Sequence, residues 1–172
     1  MAIKPNHKPP IEQIEAMFLG TILEKAHIMA DNLNNQVSIL VGVNSALFVF
    51  SLSQYLAKQS DIIFLILSFF TGATSLIGLL AVHPPNFMRK RNQPESIMFN
   101  KKITSYASPD DYAGILLETM KNREAIFKEY AREIYNVSKY YYQPKRKLFN
   151  FARNIFIVGM VVTFLYFLAT LI

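Results

Sequence analysis

The stretch that decides the fold is Ile62 to Val82, IIFLILSFFTGATSLIGLLAV, in which no residue carries a charge. Its length is close to the roughly 20 residues that a helix needs to cross the hydrocarbon core of a bilayer. A helix of that length inside a soluble bundle usually keeps a polar stripe, and this stretch has none. We therefore predict a transmembrane helix over 62–82.

Two further charge-free runs accompany this one, at 37–57 and at the C-terminus after Arg153. Three buried helices of a soluble protein are the alternative interpretation, and the missing polar stripe argues against it. The predicted fold is an all-α membrane protein with a cytoplasmic helical subdomain and three transmembrane helices: 37–57 and 62–82, which form a hairpin over 37–83, and 153–172.

The basic residues are unevenly distributed around the predicted spans. The chain has 18 Lys and Arg against 12 Asp and Glu, a formal charge of +6 that would also fit a nucleic-acid-binding protein. Most of these basic residues lie between Pro84 and Arg153, whereas the linker between the first two spans holds only Lys58. Because cytoplasmic loops are enriched in Lys and Arg, we expect 1–36 and 84–152 to be cytoplasmic and expect no nucleic-acid partner.

Each segment outside the spans contains a predicted helix. The N-terminal segment, 1–36, has apolar residues at helical spacing and continues toward the first span. In the other segment, Ser108-Pro109-Asp110-Asp111 combines an N-cap, a proline in the first turn and carboxylates at the positive end of the helix dipole. This pattern predicts a long helix over 109–142, ending before Pro144, with the N-terminal helix as the partner of its apolar face.

The sequence lacks the patterns of common catalytic and metal sites. There is no cysteine, and His7, His27 and His83 do not have the spacing of metal ligands. The six glycines are scattered, so no P-loop is present. We therefore predict that the protein is not an enzyme and has no metal and no cofactor.

Small residues recur at helix-packing intervals within the first two spans. This spacing lets helix backbones approach closely in lipid, either within one hairpin or between copies of a homo-oligomer, and both interpretations stay open. Asn44 lies well inside the first span and fits either interpretation, since a lone amide there needs a partner. The residues that we assign to helix packing or oligomer contacts are Ser38, Gly42, Asn44, Ala46, Ser68 and Gly72.

Two basic clusters adjoin the predicted membrane ends, Arg89-Lys90-Arg91 and Lys145-Arg146-Lys147. Attraction to anionic lipid explains such clusters, at about 1 kcal/mol for each charge near the surface. The run Tyr140-Tyr141-Tyr142 beside the second cluster is typical of an aromatic belt at a membrane interface.

The order of four segments carries a family resemblance. These segments are ADNLNNQVSILVGVNSALF (Ala30 to Phe48), Pro84-Pro85 at the end of the hairpin, SPDDY (Ser108 to Tyr112) and AREIYNVSKYYYQPKRKL (Ala131 to Leu148). In this order they resemble the transmembrane effector family of the Pycsar bacterial anti-phage systems, from about residue 14 onward.

The resemblance implies a function. A partner pyrimidine cyclase that senses infection would make cyclic CMP or cyclic UMP, and the effector would bind this messenger and impair the inner membrane, so that the cell dies before phage matures. The chain departs from the family pattern at two places, and recognition of the phosphate would have to differ here if the family's basic groups touch it. Asn34 and Asn35 stand where the family usually has a Lys, and Gln143 to Lys147 replaces a basic pair followed by Tyr.

Candidate messenger-binding residues follow from residue type and family position. A cyclic mononucleotide has one anionic phosphate and one planar base, so its pocket should combine cations, an aromatic face and amides. An adaptor protein that recruits a protein partner through its cytoplasmic helices is the alternative function. The candidates are Arg123 and Arg132 for the phosphate, Tyr135 for stacking on the base, and Asp31, Asn32 and Asn136 for the edge of the base.

Overall fold

A computed structural model describes residues 11–57, 61–88 and 94–171, which contain helices and no strand. Three of the helices are long and apolar enough to cross a membrane, which confirms the predicted all-α class with three candidate spans. In chain order the elements are α1 (Ile11–Ala57), α2 (Ile62–Val82), a 3-10 turn (Asn86–Met88), α3 (Asn100–Ile103), α4 (Pro109–Met120), α5 (Arg123–Asn136), a π-helical turn (Val137–Tyr142) and α6 (Gln143–Leu171).

The predicted N-terminal helix and the predicted first span form one continuous helix, α1. The polar segment between them, Asp31 to Asn35, contains neither glycine nor proline. Nothing in it therefore breaks the backbone hydrogen-bond ladder, although its side chains are polar.

The helix predicted over 109–142 is divided in the structure. It begins as predicted, with the Ser108 hydroxyl accepting a hydrogen bond from the Asp111 amide, but α4 ends at Met120. The Asn122 side chain then caps α5, because its Oδ1 accepts from the amides of Glu124 at 2.9 Å and Ala125 at 3.3 Å. Asparagine offers the backbone an alternative to the helical hydrogen bond, and here that alternative restarts the helix.

The predicted helix end before Pro144 is also absent. The chain stays helical from Arg123 to Leu171, and the π-helical turn immediately precedes α6, whose second residue is Pro144. A proline has no N–H to donate and its ring collides with the preceding turn of a regular α-helix. The wider turn at Val137–Tyr142 accommodates this residue without ending the helix.

The chain forms two compact units. The first, which we call the head unit, contains Met1–Met29 and Asn92–Ser138. The second, the bundle unit, contains Ala30–Arg91 and Lys139–Ile172, and therefore most of the three long apolar helices.

The interior of the bundle unit contains small and hydroxyl-bearing side chains. Thr71 and Thr74 are completely buried, and their hydroxyls donate to carbonyls of their own helix at 2.7 and 2.8 Å. The large side chains of α2, such as Phe69 and Leu76, point outward and are 70% and 67% exposed. This arrangement inverts that of a water-soluble protein and is typical of helices that face lipid. The buried residues of α2 are Ser68, Thr71, Thr74, Ser75, Gly78 and Ala81.

Glycines set the closest approaches between these helices. A Cβ at Gly78 of α2 would lie 2.5 Å from Cγ2 of Val41 in α1. A Cβ at Gly159 of α6 would lie 2.5 Å from Cγ of Phe70 in α2. Both distances are below any ordinary carbon–carbon contact, so these helices pack at a separation that only glycine permits.

Candidate functional site

The six predicted messenger-binding residues fall in both units. Arg123, Arg132, Tyr135 and Asn136 belong to α5 and the head unit, whereas Asp31 and Asn32 lie on α1 in the bundle unit, where both are exposed.

Both arginines predicted to bind the phosphate form an ion pair with a carboxylate in the head unit. Arg123 donates to Glu15 of α1, with both side chains substantially exposed, and Arg132 donates to Glu129 one turn earlier on α5. Glu129 in turn accepts a hydrogen bond of 2.9 Å from the amide of Ile97. An anionic ligand would therefore have to compete with a carboxylate for either arginine.

Arg132, Tyr135 and Asn136 lie on one side of α5, because residues three and four apart are neighbours on a helix. Tyr135 is 54% exposed. The amide of Asn136 donates to the carbonyl of Pro94 at 3.3 Å, which ties α5 to the segment that precedes α3. This face of α5 thus presents a guanidinium, an aromatic ring and an amide.

Glu133 is the buried acid of the head unit, with only 4% of its surface exposed. Its Oε2 has no hydrogen-bond partner among the described residues. Burial raises the pKa of this carboxyl above its ordinary value of 4.5, and the nearby charge of His27 and a hydrogen bond with Ser96 oppose the increase. A protonated carboxyl both donates and accepts hydrogen bonds, whereas an ionised carboxylate only accepts them.

Lys145 is a charged residue buried in the bundle unit that the sequence analysis missed. Only 3% of its surface is exposed, whereas its neighbours Arg146 and Lys147 are exposed. Its Nζ donates to Oδ1 of Asn34 at 2.6 Å and to the hydroxyl of Tyr141 at 3.1 Å, and lies 4.4 Å from the centre of the Tyr141 ring. From the sequence, Lys145 was predicted to belong to a cluster that attracts anionic lipid, because a run of three cations does not show which member turns inward.

Of the two predicted packing residues in the second span, Gly72 faces the first span. Ser68 is buried, and a Cβ at Gly72 would lie 3.0 Å from Cε2 of Phe48 in α1. Asn44 is fully buried as well: its Nδ2 donates to the carbonyl of Leu40 at 2.8 Å, and its Oδ1 has no partner among the described residues.

The stripe in the first span has a different environment. Ser38, Gly42 and Ala46 are all exposed, and a Cβ at Gly42 would meet nothing within 4 Å. The close approach of α1 and α2 therefore does not use this stripe, and its role in self-association stays a prediction.

Metal ligands do not cluster in the part of the chain that the structure describes, where no group of three His, Cys, Asp or Glu side chains could hold an ion. Among the sequence-predicted histidines, His27 lies in the head unit beside Glu133, and His83 caps the end of α2. His7 lies outside the described residues.

The chain was compared with protein families, curated proteins and solved structures. The family described as the Pycsar effector protein domain matches residues 18–172. No curated protein and no solved structure matches the chain.

Proposed function

The chain belongs to the Pycsar effector family, and we propose that it binds a cyclic pyrimidine mononucleotide and in response impairs the bacterial inner membrane. Family membership makes the protein a membrane effector of an anti-phage system that is linked to a cyclase. The family is not a known enzyme family. The messenger, cyclic CMP or cyclic UMP, and the membrane damage are the proposal.

The single observation that carries the proposal is the inverted packing of the bundle unit. The buried residues of its central helix α2 are serine, threonine, glycine and alanine, and large apolar side chains of the same helix are exposed. In lipid such a bundle holds together through close packing and short-range polar contacts rather than through exclusion of water. A modest rearrangement of its helices would bring hydroxyl groups such as those of Thr71 and Thr74 into contact with water.

The messenger site that we propose is built on α5. Arg132 would hold the phosphate after exchanging Glu129 for it, Tyr135 would stack on the base, and Asn136 would bond to the edge of the base. Arg123 remains a second candidate for the phosphate, and Asp31 and Asn32 remain candidates for the base. The one-sided placement of Arg132, Tyr135 and Asn136 on the helix supports this assignment.

Impairment of the membrane would involve several copies of the chain. Three spans in one subunit are too few to surround an aqueous path of useful width, so we propose a homo-oligomer. The exposed small-residue stripe of α1, Ser38, Gly42 and Ala46, is the surface we propose for contacts between copies. Messenger binding would drive the change only if the messenger prefers one arrangement of the helices to the other.

The proposal can be tested in cells and with purified protein. Cells that carry the chain and a pyrimidine cyclase should depolarise and stop growing when the cyclase is induced, whereas cells with a catalytically inactive cyclase should not. Calorimetry on the detergent-solubilised protein should detect binding of cyclic CMP or cyclic UMP and no binding of cyclic AMP. If neither pyrimidine nucleotide binds, the messenger proposal fails and a protein adaptor becomes the better account.

A further inference from the structure

Lys145 of the bundle unit carries a buried charge whose partners among the described residues are all neutral. Its ammonium contacts an amide oxygen of Asn34 and the hydroxyl and ring of Tyr141. No carboxylate among the described residues lies within ion-pair distance of it, since the ion pairs there involve only Lys101, Arg123, Lys128 and Arg132. A buried ammonium therefore lacks the counter-charge that would offset its loss of hydration.

Such an arrangement is unfavourable unless an anion completes it. Neutral hydrogen-bond acceptors and a cation–π contact recover only part of the hydration energy of an ammonium. Lysines are seldom fully buried for this reason unless they are paired with another charge. The amide and hydroxyl contacts of Lys145 are thus consistent with a ligand-free state of an anion-binding site.

The site is only one side chain away from the surface. Asn34 and Tyr141, which cover the ammonium, are themselves half-exposed. Arg146 and Lys147 follow directly in the chain and are exposed, so an anion that approaches this end of α6 meets three consecutive cations. Displacement of the Asn34 oxygen would open the ammonium to that anion without unfolding either helix.

The available donors fit a phosphate group. The ammonium can donate three hydrogen bonds, the Asn34 amide can turn its NH₂ toward an anion once its oxygen is released, and the Tyr141 hydroxyl can also donate. A phosphate ester offers several acceptor oxygens around one negative charge, which matches converging donors from two helices. We propose that Lys145, with Asn34 and Tyr141, forms a binding site for the phosphate of an anionic ligand.

Two ligands share this chemistry: the headgroup phosphate of an anionic lipid and the phosphodiester of a cyclic nucleotide. Only the second case rests on the proposed function. In either case binding would exchange the contact between Asn34 on α1 and Lys145 on α6 for a contact of both residues with the ligand.

The test compares matched variants of the full chain in two binding assays. Lys145→Met keeps the length of the side chain and removes its charge, and Lys147→Met removes an exposed charge two residues away. One assay titrates cyclic CMP and cyclic UMP into protein in phosphatidylcholine nanodiscs by calorimetry. The other measures how far a soluble short-chain phosphatidylglycerol, against the matching phosphatidylcholine, raises the thermal midpoint in detergent.

We expect Lys145→Met to weaken binding of at least one phosphate probe about tenfold or more, the loss typical of a charge-assisted hydrogen bond, and Lys147→Met to change it little. Asn34→Asp is a second test variant, and its expected result, higher stability with weaker binding, cannot arise from misfolding. It supplies the missing counter-charge internally, so it should raise the thermal midpoint of the free protein and weaken binding of the same probe.

The outcomes separate this inference from the proposed function. Binding of phosphatidylglycerol through Lys145 without any nucleotide binding would support the inference and contradict the messenger proposal. Nucleotide binding that is equal in the wild type and in Lys145→Met, with no lipid effect, would overturn the inference and leave the messenger proposal in place. Failure of the wild type to bind either probe would overturn the inference as well.

Discussion

Replacement of Gly159 by alanine is the sharpest test of the packing in the bundle unit. The new Cβ would lie 2.5 Å from Cγ of Phe70, about 1 Å closer than a favourable carbon–carbon contact. The nearest atom to the new Cβ is Cβ of Phe70, which no rotamer change can move, so α2 and α6 must separate. Overpacking of this kind costs about 1–3 kcal/mol.

Gly20→Ala is the matched control for this prediction, because Gly20 lies within α1 away from the proposed contact surface and its Cβ would meet nothing within 4 Å. Both variants gain the same helix propensity, about 1 kcal/mol, so this gain cancels when the two are compared. The assay is unfolding of detergent-solubilised protein by increasing mole fractions of sodium dodecyl sulfate, followed by the near-ultraviolet circular dichroism of its tyrosines. Gly159→Ala should unfold at a lower mole fraction of dodecyl sulfate than the control, and the difference in free energy of unfolding should equal the overpacking cost. Equal midpoints for the two variants would refute the close approach of α2 and α6.

Three further predictions concern other parts of the chain. Ser108→Ala removes the N-cap of α4 and should cost about 1 kcal/mol locally, seen as faster hydrogen exchange at the first amides of that helix; unchanged exchange would contradict the cap. Because burial raises the pKa of Glu133, its contribution to stability is fully present below pH 4.5 and is lost as the pH rises through its folded-state pKa. Glu133→Gln should therefore raise the thermal midpoint at neutral pH and give no such gain at pH 4; a lower midpoint at neutral pH would contradict this. Since the chain has no cysteine, Thr74→Cys should react with a charged methanethiosulfonate reagent only after messenger is added, whereas the outward-facing Leu76→Cys should not react; equal labelling with and without messenger would count against hydration of the interior.

The long apolar helices were predictable because their signal is local. A run without charge that is long enough to cross a bilayer has few alternatives, and Ile62–Val82 is helical over the predicted range. The start of α4 at Pro109 was predictable for the same reason, since a cap, a proline and two acidic residues stand together in the sequence.

The interruption and the continuation of helices were less predictable. The division after Met120 depends on Asn122 capping α5, and an asparagine inside an amphipathic pattern is equally compatible with an unbroken helix. The passage through Pro144 depends on a π-helical turn, which the apolar periodicity does not reveal. In both cases one residue chooses between backbone arrangements of similar energy.

Some residues of the candidate site were likewise predictable from the sequence, and others were not. Residue type suggested Arg132, Tyr135 and Asn136, and their common side of α5 follows from helical spacing alone. Lys145 could not be found in this way, because its burial depends on Asn34, which is more than a hundred residues away in sequence. The burial of Glu133 likewise depends on the chain around Ser96, so its raised pKa was not accessible from the sequence.

Messenger-dependent permeability of a membrane that contains only this chain tests the central claim most directly. The purified protein is reconstituted into liposomes with a potassium gradient, and a potential-sensitive dye reports the membrane potential while cyclic CMP, cyclic UMP or cyclic AMP is added. The account predicts that one of the two pyrimidine nucleotides collapses the potential and that cyclic AMP leaves it intact. A potential that survives both pyrimidine nucleotides, in liposomes shown to contain folded protein, would contradict the account.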